Sequence, residues 1–165
     1  MIRAGVIAIL IAGSAAAQDV PALNFEANDP EMLAAIDAAR LSLPYFFGAA
    51  ATDGVTGQAI KVAVPLPDGG IELLWMDACR PSETTDLTCR IANQPAEAQL
   101  LKDDAYHLKL DAIADWMFFD EAGLIHGAYT ARAMVPRLSE REAAAFTARL
   151  APLPEPQELP EQAVE

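Results

Sequence analysis

The stretch from Ile60 to Met76, IKVAVPLPDGGIELLWM, constrains this chain more than any other. Ile60, Val62, Val64 and Leu66 alternate with Lys61, Ala63 and Pro65, the period-two pattern of a half-buried strand rich in β-branched residues. On this pattern Lys61 points away from the Ile60/Val62 face. Pro65 has no N–H to give to a ladder, which places that end at an edge or a bulge. Pro67-Asp68-Gly69-Gly70 supplies the turn, because glycine accepts positive φ and aspartate bonds its own backbone. In the second arm, Ile71 to Cys79, Ile71, Leu73 and Trp75 share one face while Leu74 and Met76 occupy the other. A strand apolar on both faces is covered on both, so this arm belongs in the middle of a sheet.

Other elements are laid out around that hairpin. Asp29-Pro30-Glu31 reads as a helix start, with a capping carboxylate, proline at the first helical position and an acid in the first turn. Met32, Leu33, Ile36 and Ala39 then line one face, with Leu43 in step, to a helix end near Ser42 ahead of Pro44. Tyr45-Phe46-Phe47 continues as a short second turn of helix, and residues 49–57 form a loop. Leu87, Cys89 and Ile91 alternate as a third strand, and Tyr106, Leu108 and Leu110 as a fourth, after a long connection over 93–104. Ile113 to Phe119 is a fifth strand, apolar on both sides. Asp120 to Gly123 turns the chain, and Leu124 and Ile125 make a short sixth strand. Ala128 to Val135 reads as a short helix stopped by Pro136, with a strand as the alternative. Ser139 with Glu142 is a capping box opening a last helix. A helix, then consecutive strands, then short helices gives an α+β fold: an N-terminal amphipathic helix, about five mainly antiparallel strands able to curl into a small barrel, and short C-terminal helices.

The first residues have the three parts of a secretory signal: Arg3, an apolar run from Ala4 to Ala12, and small residues through Ala17. The apolar run falls short of the ~20 residues of a membrane span, so no stable membrane anchor is expected. Cleavage is expected between Ala17 and Gln18, with export to the periplasm or beyond. The domain plan is then residues 1–17 as signal peptide, 18–28 as leader, 29–150 as one α+β domain, and 151–165 as a tail rich in proline and glutamate that reads as disordered. Removing Arg3 with the signal leaves ten basic against 24 acidic residues, a net charge of −14. Such a chain is repelled by phosphate backbones and anionic lipid, which disfavours nucleic acid as a partner.

Cys79 and Cys89 are the only cysteines. A hairpin centred on Thr84 sets them opposite each other, at the ~4.5–5.5 Å Cβ separation of paired strand positions. On this register Cys79 shares the face of Leu73 and Trp75. In an oxidising compartment a disulfide is the expected outcome, against two free thiols or a metal pair lacking further ligands.

The helix opened by Asp29-Pro30-Glu31, the hairpin, and the segment IADWMFFDEAGLIHGAYTAR together resemble the bacterial YegJ-like family, domain of unknown function 2314. The resemblance runs from about Asp29 to Arg137. Family members often carry Glu-His where this chain has Leu73-Leu74, and Gly-Gly where it has Gly127-Ala128. The resemblance implies a compact α+β domain and carries over no catalytic residue. Related small domains resemble immunity proteins of bacterial toxin systems, an analogy of fold alone.

No nucleophile elbow, phosphate loop or dinucleotide fingerprint is present, and neither His107 nor His126 has metal-ligand spacing, so no cofactor or metal is expected. Three functional classes remain. The first is an exported, non-catalytic interaction domain for a protein or small ligand. The second is a toxin-neutralising immunity-like protein. The third is a small hydrolase built on Asp111, Asp115 and His126. For binding, the expected surface is Lys61, Asp115, Trp116, Tyr129, Thr130 and Arg132, because Trp, Tyr and Arg anchor binding sites most often. The competing expectation makes Trp116 and Tyr129 core, with Arg132 tied to Asp115.

Overall fold

The computed structural model describes residues 5–7, 23–25, 29–49, 51–96 and 98–154. The expected cleavage point between Ala17 and Gln18, most of the leader, and the tail from 155 onward lie outside the described residues. At the start, β1 (Gly5–Ile7) pairs antiparallel with β2 (Leu23–Phe25). These strands fall in the expected signal and leader; cleavage before Gln18 would remove β1.

The domain proper begins with α1 (Pro30–Leu41) and α2 (Leu43–Ala49). Asp29 caps α1, its Oδ1 accepting the N–H groups of Glu31 at 3.0 Å and Met32 at 3.1 Å. Met32 and Ala39 are buried, but Leu33 is 46% exposed, so the apolar stripe is narrower than the spacing predicts. Six strands follow: β3 (Thr56–Pro65), β4 (Ile71–Pro81), β5 (Leu87–Ile91), β6 (Ala105–Leu108), β7 (Ile113–Phe119) and β8 (Ile125–Gly127). The chain closes with α3 (Tyr129–Met134) and α4 (Glu140–Thr147), the latter opened by the Ser139/Glu142 capping box.

The sheet order is β6-β5-β4-β3-β7-β8, antiparallel throughout. The hairpin β3–β4 occupies the centre. Pro65 pairs with Ile71 at the turn end, beyond Val62, where the pairing of β3 with β7 stops. The barrel expectation is corrected: β6 and β8 are the two ends of an open sheet. Closure would need those ends to pair, and β8 is only three residues long.

Both faces of the centre are covered. On one, Ile60, Val62, Leu74, Met76, Ile91, Trp116 and Phe118 pack with Ala39 of α1 and with Leu43 and Phe46 of α2. On the other, Trp75, Met117 and Ile125 pack with Ala128 and Ala131. The Trp116 indole N–H donates to the Ala39 carbonyl at 3.0 Å and the Ser42 hydroxyl at 2.9 Å, docking the end of α1 on β7.

Cys79 and Cys89 form the disulfide, with sulfurs 2.10 Å apart. Its setting differs from the simple register. Met76 pairs with Ile91 and Asp77 with Arg90, but the next partners are Arg80 and Thr88. Ala78 and Cys79 thus oppose Cys89 alone, a β-bulge, with Ala78 at φ 47°. The extra residue turns Cys79 off the Trp75 side and onto the core of Leu74, Met76 and Cys89. The closed loop is short, and the chain-entropy relation gives about 2.8 kcal/mol for its cross-link. Replacing both cysteines with serine is expected to lower the unfolding free energy by about 3 kcal/mol, read from urea midpoints at unchanged slope.

Candidate functional site

β-Register assembles the polar cluster. Lys61 on β3 stands directly between Trp75 on β4 and Asp115 on β7, all on one face. That face is roofed by the start of α3. Lys61, Asp115 and Thr130 are each at most 1% exposed. Asp115 accepts the N–H of Trp116 at 2.8 Å and of Tyr129 at 3.0 Å on Oδ1. On Oδ2 it accepts the N–H of Thr130 at 2.8 Å and the Thr130 hydroxyl. The Lys61 ammonium donates to that hydroxyl at 2.7 Å and lies 4.6 Å from the centre of the Trp75 ring. Lysine and aspartate are thus joined through Thr130.

The local reason is the helix start. Ala128 precedes α3 in the left-handed region, at φ 54°, and gives no side-chain cap. The first N–H groups of a helix have no partner inside it, and Asp115 supplies one from the neighbouring strand. Burial pushes the Asp115 carboxyl above its usual range, opposed by the Lys61 charge and by the donors around it. Burial pushes the Lys61 ammonium down, opposed by Asp115. The arrangement ties α3 to the centre of the sheet and leaves no carboxylate oxygen open to a substrate.

The binding surface expected from the sequence is therefore corrected. Lys61, Asp115, Trp116, Tyr129 and Thr130 are buried. Trp116 and Tyr129 meet edge to face at 5.7 Å within the core. Lys61 points away from Ile60 and Val62, as alternation requires, but α3 covers that side too.

Arg132 is half-buried, and among the described residues its hydrogen bonds go to backbone carbonyls and not to Asp115. Its Nε donates to the Gly127 carbonyl at 2.7 Å, and Nη2 to the carbonyls of Ala151 at 2.6 Å and Ile125 at 3.5 Å. It locks residues 149–151 against β8, where Leu150 bridges Ile125 in parallel. Arg132→Ala is expected to cost about 2 kcal/mol, the range for charge-assisted hydrogen bonds, and to speed amide exchange at Ala151. Lysine at 132 should not restore it, because one ammonium cannot span two carbonyls as the guanidinium fork does.

The hydrolase set is not assembled. His126 pairs with Phe118 and stacks on its ring at 4.6 Å, on the face opposite Asp115. Its Nε2 meets Asp120 at 3.0 Å, a hydrogen bond that holds the Asp120 carboxyl below its usual range. Asp111 is exposed in the turn before β7, where its backbone carbonyl accepts from Arg40 at 2.8 Å. Among the described residues no group of three His, Cys, Asp or Glu side chains is placed to hold a metal ion, and no helix is long and apolar enough to cross a membrane.

One buried carboxylate escaped the sequence reading. Glu72, on β4, accepts the N–H groups of Ala96 and Ala98, each at 2.6 Å, and fastens the long connection between β5 and β6. An acid inside the otherwise apolar run Ile71–Met76 is the signal the sequence offers for it.

The geometry defines a small α+β domain whose central polar cluster is spent on its own architecture. The chain belongs to the family described as uncharacterized protein conserved in bacteria, DUF2314, whose model matches residues 29–151. No curated protein and no solved structure matches it.

Proposed function

We propose that this protein is an exported interaction domain that binds a partner through its outer surface and performs no chemistry of its own. The observation that carries the reading is the condition of Asp115: buried, shared with Lys61 through Thr130, and saturated by three backbone N–H groups. A carboxylate so held is a cap for α3 and cannot meet a substrate. Two further observations support export. The Cys79–Cys89 disulfide persists in an oxidising compartment, and the first residues carry the parts of a secretory signal.

The test has two arms. Intact mass of the protein recovered from the cell envelope should correspond to Gln18–Glu165 with the disulfide closed; a mass retaining Met1 overturns export. A screen on ester, phosphate, glycoside and peptide substrates should show no turnover, while affinity capture from envelope extract should retain a specific partner. Turnover that survives Asp115→Asn and His126→Gln would place chemistry elsewhere and overturn the non-catalytic reading.

A further inference from the structure

The two ends of the sheet are finished differently. At β8, the Ile125 N–H donates to the Arg149 carbonyl at 2.8 Å, and the Ala151 N–H to the Ile125 carbonyl at 2.9 Å. Arg132 holds that segment in place, so this edge is closed at Ile125. At the other end, β6 is the terminal strand among the described residues. The Ile91 N–H donates to the Asp104 carbonyl at 3.0 Å, so Asp104, Tyr106 and Leu108 present their backbone to β5. By alternation Ala105 and His107 present their N–H and C=O groups outward. The chain stays extended through Lys109, at φ −94° and ψ 155°. Leu101 and Leu110, at either end of this stretch, are 66% and 40% exposed.

We propose that the β6 edge is an interface for a second copy of this chain, joining two sheets by antiparallel pairing about a two-fold axis. Such pairing must set a residue opposite its own copy, and the two central choices are Tyr106 and His107. The charges decide between them. An axis at His107 brings Asp103 of one copy opposite Asp111 of the other, like against like. An axis at Tyr106 pairs Ala105 with His107 twice, for four N–H···O bonds, and brings Lys109 opposite the turn carrying Asp103, also twice. Asp103 already lies 3.8 Å from Arg90, which Asp77 holds at 2.8 Å, so each meeting point gathers two cations and two acids. The second copy is the occupant because the edge is complementary to itself in charge and in backbone register. A short strand with four backbone bonds makes a weak, concentration-dependent dimer, at the low end of specific interfaces.

Sedimentation velocity of the disulfide-closed protein, from micromolar to millimolar concentration, should show the mass moving from one copy toward two. His107→Pro removes an outward N–H that β5 does not use and, with the ring, the 2.9 Å bond between His107 Nδ1 and the Thr88 hydroxyl, so the sheet should remain at a modest loss of stability and the association should be lost. Lys109→Asp, at an exposed position, should weaken the dimer at least tenfold, and adding Asp103→Lys to it should recover most of the loss. A single-copy mass throughout the series overturns the proposal. So does a dimer that neither His107→Pro nor Lys109→Asp disturbs.

Discussion

Asp115→Ala should lower the unfolding free energy by about 3–5 kcal/mol, the cost of stripping the partner from a buried charge. The substitution leaves the N–H groups of Trp116, Tyr129 and Thr130 without their acceptor, together with the Thr130 hydroxyl. It also leaves the Lys61 ammonium in the core with no countercharge. Equilibrium urea unfolding reads the loss directly. Lys61→Met separates the two parts: Asp115 keeps its backbone donors, the methionine fills a similar volume, and the cost should be clearly smaller. Equal losses in the two variants would show that the charge pair, and not the capping of α3, holds the cluster together. A loss for Asp115→Ala under about 1 kcal/mol would show the cluster to be of little structural weight.

Gly127→Ala is the second large effect. Gly127 sits at φ 71°, and an added Cβ would lie 2.3 Å from the Trp116 carbonyl oxygen and 2.4 Å from its ring. Neither can retreat, since the carbonyl accepts the Ala128 N–H and the ring is fully buried. The left-handed backbone costs roughly 1–2 kcal/mol for an L side chain and the overpacking a further 1–3, so a drop of about 2–5 kcal/mol is expected. Gly69→Ala is the matched control. Its φ is 86°, yet nothing lies within 4 Å of the new Cβ, so only the backbone part should appear in a thermal melt. If the two variants melt alike, the close approach to Trp116 is not what requires glycine.

Much of the frame can be read from the chain because local pattern and tertiary environment agree there. Alternation marks β3, β5 and β6, two-sided apolar runs mark β4 and β7, the Asp29-Pro30 and Ser139/Glu142 signals mark two helix starts, and symmetry about Thr84 pairs the cysteines. Where the reading went astray, a distant element had intervened. Alternation assigns Lys61 to solvent because it knows one side of a strand at a time. It has no means of seeing that α3, far along the chain, will roof that side. The signal lay on the partner strand: Asp115 is a single acid among Ile113, Ala114, Trp116 and Met117, and a charge so surrounded needs a buried partner. The bulge at Ala78 left no mark, since alanine has no preference for φ 47° and the shift follows from how β5 meets β4. The turn over 120–127 sets Arg132 beside Asp115 on the sequence alone, because the two flank it. Three carbonyls at the end of a strand and a returning segment served it instead, and backbone acceptors carry no letter in a sequence.

The carboxylate that caps α1 does a second thing. Asp29 also holds Arg137, just past α3, and that hydrogen bond lowers the Asp29 carboxyl below the usual carboxylate range. Arg132 in turn fastens Ala151 to Gly127 and Ile125. The opening residue of the family match is thereby tied to the far end of the fold, and the closing residue is tied back into it. Both ends of the matched segment are thus anchored by arginines of its own, so the seams at Asp29 and Ala151 hold without help from what lies beyond them.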